Sequence, residues 1–416
     1  MPHTPLLLQL VVILITARLL GLLLRFFGQP PVIGEMAAGI VLGPIVLGHF
    51  APGLHAEIFE PTSLGALRGL SELGLVLFMF IVGAELRLPT GVKAQLVSAS
   101  WIGIFSVLVP MLLGVGVASL LHDQLAPAGT AFWPFALFMA SAMSITAFPV
   151  MARILKERQL THSALGRLSL TGAAVADVFA WIMLALVVVL SGSGQDWGRF
   201  FNTIAGLSAL ALVVFVGFRP AVAWLLSRFS KDGRPEGPIL AVLLIGTFAC
   251  AYVTQLLDVH AVFGAFLFGA CLPRDDRLLD ALIERTEHVA IIVLMPIFFA
   301  LAGLNTTFDA FAGAGIGALL LILAAAVLGK IAGGAAGARI CGQPWRTSLA
   351  VGSLMNARGL MELIVIKVGL DIGVIGQDLF TMLMVMALVT TLMTGPLLTL
   401  FGPRPEPDSD ERTARN

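Results

Sequence analysis

Runs of about twenty apolar residues, each carrying at most one charge, recur along this chain and limit what it can fold into. PLLLQLVVILITARLLGLLL and GALLLILAAAVLGKIAGGAAGA are two of them. Such a run, wound as helix, rises ~30 Å, which is the thickness of a bilayer's hydrocarbon core. No water reaches that depth, so every backbone N–H and C=O needs a partner within the segment, and a helix supplies it. A spanning barrel would instead show strands of alternating polarity. The expected fold class is therefore an all-α membrane protein. Composition agrees, because 58% of the 416 residues are hydrophobic and 12% charged, a balance that a water-soluble core could not absorb.

The 44 glycines belong to the same class, since small residues let membrane helices approach closely. No Gly-rich loop ends in Lys-Ser or Lys-Thr, which disfavours a nucleotide-driven pump. A net charge of zero and the lack of a basic arm argue against nucleic acid as a partner. Cys250, Cys271 and Cys341 lie far apart without CxxC spacing and read as inert packing residues. No metal or organic cofactor is expected. The opening MPHTPLLLQL contains no Lys or Arg, and no small-residue cleavage site follows, so the first run counts as a span rather than a signal peptide.

Cutting at polar and Pro/Gly clusters gives about thirteen spans, beginning near residues 5, 32, 70, 95, 130, 161, 200, 236, 258, 284, 311, 347 and 374. The loops test that count. Those after odd-numbered spans hold Arg25, Arg87, Lys93, Arg153, Lys156, Arg158, Arg167, Arg219, Arg228, Lys231, Arg234, Arg274, Arg277, Arg285, Arg339 and Arg346, whereas those after even-numbered spans hold Arg68 and Arg199. Positive charge marks the cytoplasmic side. The N-terminus is thus expected outside and the C-terminus in the cytoplasm, in the inner membrane. A membrane domain at 1–402 precedes a short cytoplasmic tail at 403–416. Two halves, at about 5–191 and 236–401, flank a linker helix at about 200–228.

A charge within the bilayer costs about 2.5–3.5 kcal/mol or more unless paired or hydrated, so the charges left at depth are informative. Asp177 lies mid-way along the sixth span, Lys330 in the eleventh, and Arg358 with Glu362 in the twelfth. A lone buried acid marks an ion or proton path, which makes Asp177 the candidate binding site for cation and proton. Lys330 either titrates or neutralises helix C-termini or Asp177. Arg358 and Glu362 are spaced i, i+4 and suit an ion pair within one helix. All three are candidate charge-compensating groups. Glu35 and Glu85 lie close to span ends and read as interface or funnel residues, and His260 as a packed or gating residue rather than a proton relay.

Two spans carry polar interruptions. SAMSITAFPVMARIL places Ser144 and Thr146 before Pro149, which removes one helical hydrogen bond and frees a carbonyl upstream. GSLMNARGLMELIVI places Asn356, Arg358 and Gly359 at a similar depth. Interrupted helices in matching positions of two halves point to a transport site at the midplane, where their free ends offer carbonyls to cations. Ser144 and Thr146 either ligate the ion or bond their own backbone.

At these residues the chain resembles the monovalent cation:proton antiporter superfamily, on the branch of bacterial sodium/proton antiporters and plant cation/H⁺ exchangers. QPPVIGEMAAGIVLGP at 29–44, LGLVLFMFIVGAELR at 73–87, SITAFPVMARIL at 144–155, HAVFGAFLFGACLP at 260–273 and MNARGLMELIVI at 355–366 follow that branch's motifs in order. The resemblance implies a thirteen-helix fold of two inverted-topology repeats with crossed broken helices, and a homodimer with a mobile core domain. Asp177 matches the essential aspartate, Lys330 the lysine after glycine, Thr146 the threonine at the fifth-span break, and Arg358 the arginine of the second broken helix. Two departures stand out: Ala176 where the family carries Asn or Asp, and Ala147 where some relatives carry an aspartate. Each removes a neighbouring polar group.

The function expected is exchange of Na⁺ or K⁺ for H⁺, a secondary active transporter rather than an enzyme, with both ions competing for Asp177. A K⁺-selective exchanger is the alternative within that class. A passive cation channel is the alternative outside it, and would need a continuous polar path that scattered single charges do not offer.

Overall fold

Helices stand where the apolar runs lie. The computed structural model describes residues 6–85, 93–161, 163–191, 197–229, 237–257, 261–273 and 288–402, and no strand occurs among them. The helices α1 (Leu6–Phe26), α2 (Pro31–Leu42), α3 (Leu64–Glu85) and α4 (Lys93–Leu125) come first. The next run is split into α5 (Phe132–Ser144) and α6 (Phe148–Glu157), and α7 (Ala164–Ser191) follows. A π-helical stretch, Val213–Phe218, joins α8 (Trp197–Leu212) to α9 (Arg219–Phe229). Next are α10 (Gly237–Leu256), α11 (Ala261–Ala270) and α12 (Met295–Leu304), the last entered from a π-helical turn at Ala290–Leu294. After α13 (Gly315–Ile340) comes a second split run, α14 (Trp345–Met355) and α15 (Leu360–Asp371), and then α16 (Gln377–Phe401).

Among the described residues, eight stretches are long and apolar enough to cross a bilayer, including Leu6–Phe26, Val97–Leu125, Gly315–Ile340 and Gln377–Phe401. Phe132–Ser144, Ala261–Ala270 and Ala290–Leu304 are shorter apolar helices. The chain is a multi-pass membrane protein. Of the other expected spans, those at α5–α6 and α14–α15 are split helices and those at α11 and α12 are short, below the length that spans hydrocarbon unaided. Some sequence expectations fall outside the described residues: the loop cations Arg87, Lys231, Arg234, Arg274, Arg277 and Arg285, His260, the tail at 403–416, and the side chains of Asp177, Pro149 and Glu85. Glu35, expected at a hydrated span end, is 4% exposed within α2.

Local sequence explains how α1 turns into α2. Gly28 takes φ +71°, a left-handed conformation that only glycine enters freely. Its N–H bonds Arg25 O at 2.9 Å and that of Gln29 bonds Leu24 O at 3.0 Å, which closes α1 in a Schellman turn. Pro31 then opens α2, where its missing N–H has no helical partner to lose.

Close packing rests on glycines in pairs. A Cβ on Gly34 of α2 would strike the backbone of Gly21 in α1, and one on Gly39 would strike Phe299 O of α12. In α11 the glycines Gly264 and Gly269 have the same separation and do the same. A Cβ on Gly264 would meet Cys250 O of the preceding α10, and one on Gly269 would meet Phe80 O of α3. Thus α2 packs on α1 and α12 as α11 packs on α10 and α3. On α13, Gly329, Gly333 and Gly337 form a further stripe, facing Pro110, Phe105 and Ile102 of α4.

Gly39→Ala should destabilise the protein by about 1–3 kcal/mol, because the added methyl meets backbone that cannot yield. Gly65→Ala, where nothing lies within 4 Å, should be neutral or stabilising. Melting temperatures in detergent check this pair, and equal melting of both variants would contradict the packing described.

Candidate ion-binding site

A helix C-terminus leaves its last four carbonyls without intrahelical partners, and inside a membrane no water replaces them. In α5 these belong to Ser141, Ala142, Met143 and Ser144. Ser141 O accepts from Ser144 Oγ at 2.9 Å. Ala142 O and Met143 O accept from Arg358 Nη1 and Nη2 at 2.9 and 2.6 Å. Ser144 O accepts from Lys330 Nζ. Two buried cations therefore meet the negative end of one half-helix, where the macrodipole favours them.

The ammonium of Lys330 sits in a cage of oxygens. Besides Ser144 O it donates to Thr146 Oγ1 at 2.6 Å and to Ser106 O at 3.1 Å. Lys330 is fully buried. The glycine stripe on α13 brings that helix against α4, which sets Lys330 beside Ser106 and the end of α5.

The two breaks meet each other. Ala147 N donates to Ala357 O at 2.9 Å, and Thr146 Oγ1 donates to Met355 O at 3.4 Å. On the far side α16 closes the second break. Thr391 Oγ1 accepts from Arg358 N at 2.9 Å and lies 2.8 Å from Arg358 O, while Asn356 Nδ2 donates to Thr390 O at 3.0 Å. Arg358 Nη1 also pairs with Glu362 Oε1 at 3.2 Å, both side chains wholly buried. Glu362 Oε2 and Asn356 Oδ1 remain buried without hydrogen-bond partners, so hard oxygen acceptors are left over at this break.

A profile described as sodium/hydrogen exchanger, transmembrane, matches residues 11–401. The chain belongs to the sodium/hydrogen exchanger family. It is 38% identical over 399 residues to Na(+)/H(+) antiporter NhaS4 of Synechocystis sp., covering 95% of this chain and 97% of that one. It is 38% identical over 396 residues to Cation/H(+) antiporter 17 of Arabidopsis thaliana, and 35% over 413 residues to K(+)/H(+) antiporter 1 of Saccharomyces cerevisiae. The chain spans about half the length of those two, 48% and 47% respectively. The sodium proton antiporter MjNhaP1 from Methanocaldococcus jannaschii shares the fold, with a TM-score of 0.63 at 14% identity over 96% of this chain and 98% of that one.

In this exchanger the structure brings Ser144, Thr146, Lys330, Asn356, Arg358 and Glu362 to one crossing point, and Gly359 is the N-cap of α15 there. Asp177 lies on α7, which packs against α5, α6 and α14, the elements that carry the breaks. Pro149 is the second residue of α6, so its missing N–H falls among the unpaired donors of a first turn rather than inside a continuous helix. The hydroxyl of Ser144 bonds its own helix, and it is the carbonyl that reaches Lys330. Ser106, Thr390 and Thr391 were not singled out from sequence. Their signal was slight, since hydroxyls in apolar helices commonly bond the preceding turn, as these also do.

Arg358→Met should strip the donors from Ala142 O and Met143 O and leave Glu362 unpaired, a loss of about 3–5 kcal/mol. Glu362→Gln keeps an acceptor beside Arg358 and should cost less. Melting temperature and folded yield in detergent read the difference, and a wild-type melt for Arg358→Met would contradict the capping role.

Proposed function

We propose that this exchanger swaps a monovalent cation, Na⁺ or K⁺, for H⁺ by alternating access, with Asp177 binding either ion in turn. The observation that carries the reading is the oxygen cage at the first break, where Ser144 O, Thr146 Oγ1 and Ser106 O already hold one monovalent cation, the Lys330 ammonium. A carboxylate on α7, the helix abutting both breaks, completes a site for a second. The core moves when a proton or a cation neutralises that carboxylate and stays put when it is bare, because an unpaired charge at depth is costly. Exchange follows from that restriction. Relatives named for Na(+)/H(+) and for K(+)/H(+) antiport both match at similar identity, so the site accommodates either cation as a candidate.

The matched glycine pairs of α2 and α11 support two inverted repeats, since each helix packs on its predecessor through the first glycine and on the opposite repeat through the second. On this reading short and split helices bring the crossings to about thirteen, with the N-terminus outside and the C-terminus in the cytoplasm of the inner membrane. A homodimer belongs to the same reading.

Asp177→Asn should abolish cation-driven proton flux in proteoliposomes, and wild-type rates in that variant would overturn the assignment. A scan of Na⁺, K⁺ and Li⁺ against an imposed pH gradient should show which cation is driven. Flux of a cation without counter-movement of protons would instead favour the channel.

A further inference from the structure

One oxygen of the Lys330 cage, Ser106 O, lies in the middle of α4, where a helical carbonyl ordinarily belongs to its own helix. The residue four places on, whose N–H would return to it, is Pro110. Proline has no N–H, so the helical bond to Ser106 O is missing and the carbonyl is open to a donor from elsewhere. Lys330 Nζ supplies that donor at 3.1 Å. The hydroxyl of Ser106 donates to Gly103 O at 2.9 Å, so it is the carbonyl that serves the cage.

The proline also sets the register of the lysine. A Cβ on Gly329 would lie 2.9 Å from Pro110 Cα and 3.0 Å from its Cβ, so α13 touches α4 at the proline itself. Lys330 is the next residue, and its ammonium reaches one turn back along α4 to the carbonyl that the proline has freed. The bare glycine lets the helices close, and the lysine takes the oxygen that results.

The same device occurs again in α16. There Pro396 withholds its N–H from Leu392 O, and Gln29 Nε2, from the turn between α1 and α2, donates to that carbonyl at 3.2 Å. Each freed carbonyl is answered by a side chain distant in sequence, as an apolar interior requires. At Ser106 O the donor is a cation.

We infer that Pro110 is a positioning residue of the ion site: by withholding an N–H it keeps Ser106 O turned over to the cage, as the contribution of α4 to the oxygens that hold a monovalent cation. For the transported ion this rests on the exchange reading, whereas for Lys330 it stands on the contact itself. Pro110→Ala returns an N–H to α4. Ser106 O is then drawn back into its own helix, and the cage loses an oxygen. The loss falls hardest on a mobile cation, which has given up its hydration, because Lys330 is held in place by its own backbone.

Two measurements on the full chain test this. The first is a double-mutant cycle in melting temperature, with Pro110→Ala, Lys330→Met and the two combined. Without the ammonium Ser106 O has lost its donor, so the restored N–H should favour the Lys330→Met protein by roughly 2 °C more than it favours wild type. Equal shifts in the two backgrounds would overturn the inference, because a proline that only bends or packs α4 acts alike in both. The second is exchange in proteoliposomes. Pro110→Ala should raise the KM for the driven cation about tenfold with the maximal rate kept, the size of one carbonyl at a charge. An α-hydroxyalanine at position 110, whose ester has neither N–H nor ring, should return KM to the wild-type value. A KM that stays raised with the ester would overturn the inference by assigning the effect to the ring, and so would an unchanged KM in Pro110→Ala. The ester comparison leaves Lys330 in place, so it decides the matter even where Lys330→Met does not fold. The cycle involves no ion flux, so absence of exchange in wild type would sink the exchange reading and leave the cycle readable.

Discussion

A helix interrupted inside a bilayer exposes backbone groups where no water can bond them, and the rest of this structure follows from how that cost is met. At the first break the last carbonyls of Phe132–Ser144 receive bonds from Ser144 itself, from Arg358 and from Lys330. At the second, Met355 and Ala357 offer carbonyls to Thr146 and Ala147 of the first. The breaks thus satisfy each other, with two buried cations making up the remainder. Removing either cation leaves unpaired carbonyls in an apolar interior.

On the proposed reading the same arrangement prepares a transport site. Carbonyl and hydroxyl oxygens gathered to hold an ammonium are oxygens able to hold an alkali cation, and the helix dipole that favours Lys330 favours either. Lys330 is a structural cap, and on the proposed reading a resident competitor for its cage. Around this crossing, glycine contacts between α2 and α12 and between α3 and α11 bring backbones together without intervening side chains. Those contacts are close backbone approaches, whereas the crossing itself is tied by directional bonds.

Much of this was legible in the sequence because the physics is one-dimensional. Apolar runs give helices, and the polar residues and Pro149 within two of those runs placed the interruptions near residues 144–149 and 356–359, where the helices stop. The i, i+4 spacing of Arg358 and Glu362 gave their ion pair. What could not be read was reach across the fold. Nothing in the sequence around Lys330 says that its ammonium ends on Ser144 O rather than on an acid, since that depends on how closely the Gly329, Gly333 and Gly337 stripe approaches α4. The glycine pairs of α2 and α11 share their spacing in the sequence, but their equivalence emerges only from what each Cβ would strike. Thr391 was hidden among hydroxyls that bond their own helix. Pro149 was read as the cause of the break, yet it opens the next half-helix.

The central proposal is that the transported cation enters the oxygen cage shared by Thr146 and Lys330 and is bound there by Asp177. The most direct measurement is anomalous scattering from crystals soaked in Rb⁺ or Tl⁺ at alkaline pH. The account expects one peak within coordination distance of Thr146 Oγ1 and the Asp177 carboxylate, absent from Asp177→Asn crystals. A peak remote from both breaks, or one that persists in the variant, would contradict it.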